Sequence, residues 1–318
     1  MRVLITGVSG FAGSYLAEYC LARPGVDVYG TVRAVERPGH AGHLTDRMKL
    51  LPIDVREAAS VDAAVRASQP DVVFHLAAQA SVAASFDDPV GTLMDNAVGQ
   101  LNVIQAVLNL APQARLLVVG SAYEYGLVRP EENPIDESVP LRPMDPYAVS
   151  KVTQDLFGYQ YSLSHRLQSV RVRAFNHTGP RQSTEFVASR FAKLIAEIEA
   201  GRREPVLTVG NLAAVRDFTD VRDVVRAYFL AATKGQPGEV YNVGSGVGRK
   251  IEELLALLVG FSRAAIQIQE DPNLFRPLDV PALICDASKL RQHTGWEPQL
   301  PLERTLRDLL EHWRSELA

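Results

Sequence analysis

Residues 2–13 read Arg-Val-Leu-Ile-Thr-Gly-Val-Ser-Gly-Phe-Ala-Gly, and a helical pattern follows over Ser14–Leu21. The apolar run at 2–6 predicts a β-strand, and the three glycines predict a tight turn into the start of a helix. That combination makes an anion site. Unpaired backbone N–H groups and the positive end of the helix dipole point at whatever lies above the turn. Glycines there also let a pyrophosphate approach the backbone. The spacing Gly7-x-x-Gly10-x-x-Gly13 is one residue longer at its first gap than the usual dinucleotide fingerprint.

Working outward, a second strand over Val26–Val32 ends at Arg33, and a third apolar run, Met48–Ile53, ends at Asp54. A guanidinium at the end of the second strand suits a ribose 2′-phosphate, where an acidic residue would suit the free hydroxyls, so NADP is expected over NAD. Val72–Ala78 reads as a fourth strand whose small residues allow close packing under a cofactor. His75, within it, reads as a satisfied core histidine. A helix over Thr92–Leu108 carries Asn96, and the strand Arg115–Val119 follows. Strand and helix alternating at about 25 to 30 residues predict an α/β, Rossmann-type, doubly wound parallel sheet.

Beyond that strand come Gly120-Ser121-Ala-Tyr123-Glu124-Tyr-Gly126, a Pro-rich polar loop, and Asp145-Pro-Tyr147-Ala-Val-Ser-Lys151. If Tyr147 opens a helix just after a proline, Tyr147 and Lys151 share one face, four residues apart. An ammonium beside a phenol favours the phenolate and is expected to lower its pKa toward neutrality, which suits proton exchange with a carbonyl or hydroxyl. Ser121, at the strand end, is placed to hold the same oxygen.

With 318 residues, 47% hydrophobic and 22% charged, the chain can bury an ample core without disulfides or metal. A net charge of -4 argues against nucleic-acid and membrane-surface partners and toward small molecules. Cys20 and Cys285 stand far apart in apolar surroundings, which predicts buried free thiols, and no run approaches the about 18 apolar residues of a membrane span. A cytoplasmic location is the expectation.

The later chain continues with a basic strand at 170–173, a helix over Glu185–Ala200 and a helix over Val221–Ala232 capped by Thr219 or Asp220. A buried strand follows at 239–244, then a helix over Ile251–Phe261, a strand near 266–269, and helices from Ser288 and Leu302. Trp296 reads as a packing residue. A diphosphate ligand asks for guanidinium groups, which pair with its oxygens bidentately.

Taken together, Gly7-x-x-Gly10-x-x-Gly13, Leu76-Ala-Ala78, Ser121 and Tyr147-x-x-x-Lys151 resemble the extended short-chain dehydrogenase/reductase family over essentially the whole chain. Within it the chain resembles the GDP-mannose branch of dehydratases and reductases. The residues that carry this are Gly13-Ser-Tyr-Leu-Ala-Glu18, Ala77-Ala-Gln79 with Ser85-Phe86, Arg173-Ala-Phe-Asn-His177, Gly210-Asn-Leu-Ala-Ala-Val-Arg-Asp-Phe218 and Arg276-Pro277.

The resemblance implies Tyr147 as acid/base, Lys151 as its partner and the holder of the nicotinamide ribose, and Ser121 orienting a sugar carbonyl. It implies an NADP site formed by Gly7, Gly10, Phe11, Ala12, Gly13, Arg33, Asp54, Val55, Leu76, Ala77, Ala78 and Asn96. A GDP-linked deoxyhexose would be held by Ser121, Asn176, Arg181, Val187, Lys193, Arg216, Arg276 and Asp279. A small C-terminal lobe would close over it. The implied division is a cofactor domain of 1–170 plus about 217–245, and a substrate domain of about 171–216 plus 246–318. The helices at 92–108 and 146–163 imply a homodimer through a four-helix bundle.

Dehydratases of this family resemble one another in placing a carboxylate two residues beyond the catalytic Ser or Thr. Here that position is Tyr123, and Glu124 lies one step further, which in an extended segment turns it to the other face. NADPH-dependent reduction of a 4-keto-6-deoxy sugar is therefore the expected reaction, with 4,6-dehydration and 4-epimerisation as the alternatives.

Overall fold

The computed structural model describes residues 1–274 and 280–318, so Arg276 and Asp279 lie outside the described residues. The first half builds β1 (Arg2–Thr6), α1 (Phe11–Leu21), β2 (Asp27–Val32), β3 (Lys49–Pro52), α2 (Ala58–Ser68) and β4 (Val72–His75). It continues through α3 (Val82–Asp87), α4 (Pro89–Leu93), α5 (Gly99–Leu110), β5 (Arg115–Ser121), α6 (Pro146–His165) and β6 (Gln168–Ala174). The second half builds β7 (Asn176–Thr178), α7 (Val187–Glu199), β8 (Val206–Val209), β9 (Val215–Asp220), α8 (Val221–Lys234) and β10 (Val240–Val243). It ends with β11 (Gly248–Lys250), α9 (Ile251–Gly260), β12 (Gln267–Glu270), β13 (Ala282–Leu283), α10 (Ser288–Thr294) and α11 (Leu302–Glu316).

Seven strands pair in the order β10-β6-β5-β4-β1-β2-β3, all parallel, as the alternation of strand and helix predicted. Period-two side chains feed two cores. Val3 and Ile5 face the layer holding α1 and α8, while Leu4 faces α2 and α5 with Val61, Val65, Ile104 and Val107. The chain order reverses between β1 and β4. That switch point opens a crevice at the strands' carboxyl ends, the place where such sheets bind ligands.

The helix expected at 92–108 runs unbroken from 89 to 110, but one of its turns is widened. A wide turn over Met94–Val98 joins α4 to α5 in one helix and turns Asn96 inward. There its side-chain oxygen accepts from the Gln79 amide at 2.7 Å, and its nitrogen donates to the Gln79 carbonyl at 3.0 Å and to the Ser150 hydroxyl at 2.8 Å. A side-chain network thus sets the widened turn, which apolar periodicity does not report.

β9 carries a second sheet with β11 and β13, and β7 also pairs with it, while β8 pairs with β12. Helices α7, α9 and α11 cover them through Phe191, Ile195, Leu254, Leu258, Leu306 and Leu310. Asp220 caps α8 by accepting from the Arg222 amide at 2.8 Å. Trp296 is fully buried and its indole N–H donates to the Asp223 carbonyl at 2.9 Å, a packing role as expected. Relative to the expected division, β6 runs on to Ala174, and α10 with Trp296 returns to the first core.

Candidate active site

At the switch point Gly7 adopts φ +72°, and a Cβ there would stand 2.8 Å from the Ala77 backbone. A Cβ on Gly13 would run into the Gly7 carbonyl, so both positions exclude side chains. The Thr6 hydroxyl ties β1 to β4, accepting from the Leu76 and Ala77 amides at 3.1 Å each and sharing a 2.8 Å hydrogen bond with His75 Nδ1. Burial pushes the imidazole down to about 3, so it is neutral. Only one ring nitrogen is satisfied: Nε2 has no hydrogen-bond partner among the described residues, which corrects the expectation of a satisfied core histidine.

β5 delivers Ser121 to the crevice, and the chain then turns tightly. The Ser121 hydroxyl accepts from the Tyr123 amide at 3.2 Å, and the Glu124 carboxylate accepts from the Ser121 amide at 2.7 Å, a reciprocal cap on one 3₁₀ turn. The segment is therefore helical where an extended one was expected, and the direction of Glu124 has a different cause. Glu124 is fully buried, 3.2 Å from Arg173 Nε, and does not line the cleft. Tyr123 lines it instead, its ring edge-on to Tyr147 with centroids 6.4 Å apart.

Asp145 caps α6 by accepting from the Ala148 amide at 2.7 Å, with Pro146 in the first turn. This sets Tyr147 and Lys151 one turn apart, both buried, both facing the cleft. The Lys151 ammonium donates to the Val119 carbonyl at 2.9 Å. Burial pushes the Tyr147 phenol above its ordinary range, opposed by a hydrogen bond with Ser121. The expected lowering by Lys151 is outweighed, because desolvation acts on the phenolate while the ammonium sits toward Val119. Lys151 itself falls from 10.5 to about 8 through burial, with Glu124 pulling the other way.

A cleft of about 810 Å³ joins the two sheets. Its walls include Gly7, Gly10, Phe11, Ala12, Gly13, Leu76, Ala78, Ser121, Tyr147, Lys151, Asn176, Val187 and Arg216. Ala77 lies against Gly7 beneath the turn. Arg33 is exposed at the end of β2, 3.3 Å from Asp95, and Asp54 pairs with Arg56 at 2.5 Å. Val55 packs on Gly99, and Asn96 stands behind the β4 loop.

Two expected substrate contacts do not line the cleft. Arg181 lies on the Tyr15 ring and pairs with Glu18 at 2.7 Å, because a φ of +74° at Arg181 turns the chain toward α1. Lys193 lies 3.8 Å from Glu197 and over the Trp313 ring. The cleft also gathers residues the sequence reading did not single out. Arg190 lines it and forms no ion pair among the described residues. Its signal was helix phase, one turn beyond Val187. His177 stacks on Phe11, ring planes 5° apart.

A parallel sheet with a glycine turn at its switch point, facing a Ser, Tyr and Lys cluster, defines a Rossmann-type nicotinamide-nucleotide enzyme. The family model described as GDP-mannose 4,6 dehydratase matches residues 4–309. The chain is 33% identical to the GDP-6-deoxy-D-mannose reductase of Pseudomonas aeruginosa, covering 99% of this chain and 98% of that one. It is 29% identical to a GDP-mannose 4,6-dehydratase of Vibrio cholerae, covering 97% and 92%. The structure of RMD from Pseudomonas aeruginosa complexed with NADPH superposes with a TM-score of 0.86 at 32% identity, over 99% of this chain and all of that one. The chain belongs to the GDP-mannose 4,6-dehydratase family of extended short-chain dehydrogenases/reductases, nicotinamide-dependent enzymes of nucleotide-sugars.

Proposed function

We propose that this protein uses NADPH to reduce the 4-keto group of GDP-4-keto-6-deoxy-D-mannose, giving GDP-D-rhamnose or its carbon-4 epimer. The observation that carries this reading is the turn after β5. It presents the Tyr123 phenol to the cleft and draws the Glu124 carboxylate into the protein, so no carboxylate of this turn faces the sugar beside Tyr147. Elimination of water needs a base for the proton on carbon 5; reduction needs only a proton donor.

The glycine turn fits a pyrophosphate, since side chains at Gly7 and Gly13 would collide with the Ala77 backbone and the Gly7 carbonyl and prevent the tight turn into the start of α1. NADPH, when bound, supplies the hydride. The chain's residues do the rest. Ser121 and Tyr147 hold the carbonyl oxygen, and Tyr147 gives its phenolic proton to the oxygen that gains charge. A phenol held above its ordinary range is protonated at neutral pH, the form a reductase needs. Lys151 holds the ribose and stabilises the phenolate left behind. Arg190 and Arg216 take the diphosphate of the sugar nucleotide, and Arg33 takes the 2′-phosphate of NADPH.

The protein acts as a homodimer in this reading. Val90 and Leu93 on the helix formed by α4 and α5, and Leu156 and Leu163 on α6, are exposed on two packed helices, and the same two helices of a second copy complete a four-helix bundle. Its place is the cytoplasm, in keeping with the two buried free thiols.

The test is to give purified protein the 4-keto sugar with NADPH, and GDP-mannose alone in a separate tube, and to identify products by NMR. Consumption of NADPH with a reduced 6-deoxy sugar is expected. Formation of the 4-keto sugar from GDP-mannose alone identifies a lyase and rejects the reduction.

A further inference from the structure

Two opposite charges grip the catalytic end of β5. The Lys151 ammonium donates to the Val119 carbonyl at 2.9 Å, and two residues on the Glu124 carboxylate accepts from the Ser121 amide at 2.7 Å. Gly120 lies between them. The place a Cβ would take at Gly120 is occupied by Glu124 Oε1, so the missing side chain makes room for the carboxylate.

Behind it runs a buried chain of charge. Glu124 Oε2 lies 3.2 Å from Arg173 Nε, an ion pair without aligned hydrogen-bond geometry. Arg173 pairs with Asp155 at 2.7 Å, Asp155 also pairs with Arg171 at 3.0 Å, and Arg173 donates to the Tyr125 hydroxyl at 3.1 Å. Two carboxylates thus balance two guanidiniums, and Lys151 is a further cation beside them. Glu124 faces Arg173 from β6, and Asp155 and Lys151 from α6. Lys151 faces Glu124, His75 from β4, and Tyr147 on its own helix. Burial, with Asp155 nearby, raises the Glu124 carboxyl above its ordinary range, against Arg173, the Ser121 amide and Lys151, which favour its ionised form. The neutral imidazole gives no charge to offset the ammonium, so it is Glu124, once ionised toward alkaline pH, that acts on Lys151.

We infer that Glu124 is a positioning residue for the reduction: its carboxylate fixes where Ser121 presents its hydroxyl and keeps Lys151 charged beside Tyr147. The inference rests on the reduction proposed above and adds the device that sets its pH range. A buried carboxylate that only stabilised the fold would leave that range unmoved.

The test uses E124Q in the full-length protein, following NADPH-dependent ketone reduction across pH. Loss of the anion disfavours the Lys151 ammonium, so the alkaline limb of kcat is expected to move to lower pH by about one unit. An accompanying fall in kcat of about tenfold is expected, with KM for NADPH within about twofold. A second variant, G120A, keeps every charge; its methyl would meet Glu124 Oε1 first and the Val172 carbonyl at 2.9 Å, and the side-chain carboxylate, which moves more readily than β6 backbone, is displaced from the Ser121 amide. It is expected to lower kcat at least about fivefold with the limb in its wild-type place. If E124Q does not fold, G120A decides by itself: folded G120A with wild-type kcat overturns the inference. E124Q with an unmoved limb overturns it as well, whatever its kcat. The wild-type control separates the two readings, since no wild-type turnover sinks the reductase, whereas wild-type turnover with unaffected variants sinks this inference alone.

Discussion

Lys151 and Tyr147 face each other across one turn of α6, the ammonium nitrogen 5.9 Å from the centre of the phenol ring. The phenol is the proton source and the ammonium holds it in readiness, so the two substitutions have separable effects. Tyr147→Phe removes only the proton donor. It is expected to lower kcat about 10²- to 10⁴-fold while NADPH still binds, checked by steady-state rates and by nucleotide fluorescence titration.

Lys151 also leaves a mark on stability. Its folded pKa is about 8 against an ordinary 10.5, so below pH 8 the folded state carries the cost of a buried ammonium. Between those two values the unfolded chain binds more protons, and the free energy of unfolding gains from this group as pH rises. Lys151→Met loses that gain. The stability of the variant relative to wild type should therefore be highest below pH 8 and decline toward pH 10.5, measured as Tm against pH. Parallel curves would remove the assignment.

Cofactor choice is expected to lie with Arg33. Its 79% exposed side chain contacts Asp95 at 3.3 Å, a surface pair too weak to hold it against a phosphate. Arg33→Ala should raise KM for NADPH by about ten- to a hundredfold, with little change for NADH, in rates measured with each nucleotide.

On the substrate side, Arg190 and Lys193 lie one turn apart on α7, and only Arg190 lines the cleft. Arg190→Ala is expected to raise KM for the nucleotide-sugar by about tenfold or more, with an unchanged Tm because the guanidinium has no ion pair among the described residues to lose. Lys193→Ala, which breaks a pair with Glu197, should leave KM near wild type.

The exposed face of α6 gives a test of assembly. Leu156 is 51% and Leu163 67% exposed on one helical stripe. Replacing both with Glu is expected to convert a dimer to a monomer in sedimentation velocity, with the fold intact by circular dichroism.

What the sequence determined by itself is what short stretches of backbone decide. Gly13 forecast a turn that a side chain would block, because its clash is with the Gly7 carbonyl six positions earlier, whereas the clash at Gly7 is with Ala77, brought there only when β4 pairs with β1. The four-residue step from Tyr147 to Lys151 forecast one face of a helix, because helical phase is local. Alternating strands and helices forecast the parallel sheet, because each connection must cross back over it. Tertiary structure decided where the charges went. Arg181 turned to Glu18, a partner 163 residues earlier in the chain. Glu124 went inward because Gly120 left room for it and Arg173, brought alongside by β6, met its charge. A buried carboxylate goes where a counter-charge and backbone N–H groups compensate its lost hydration, and those partners are assembled only when distant strands pair.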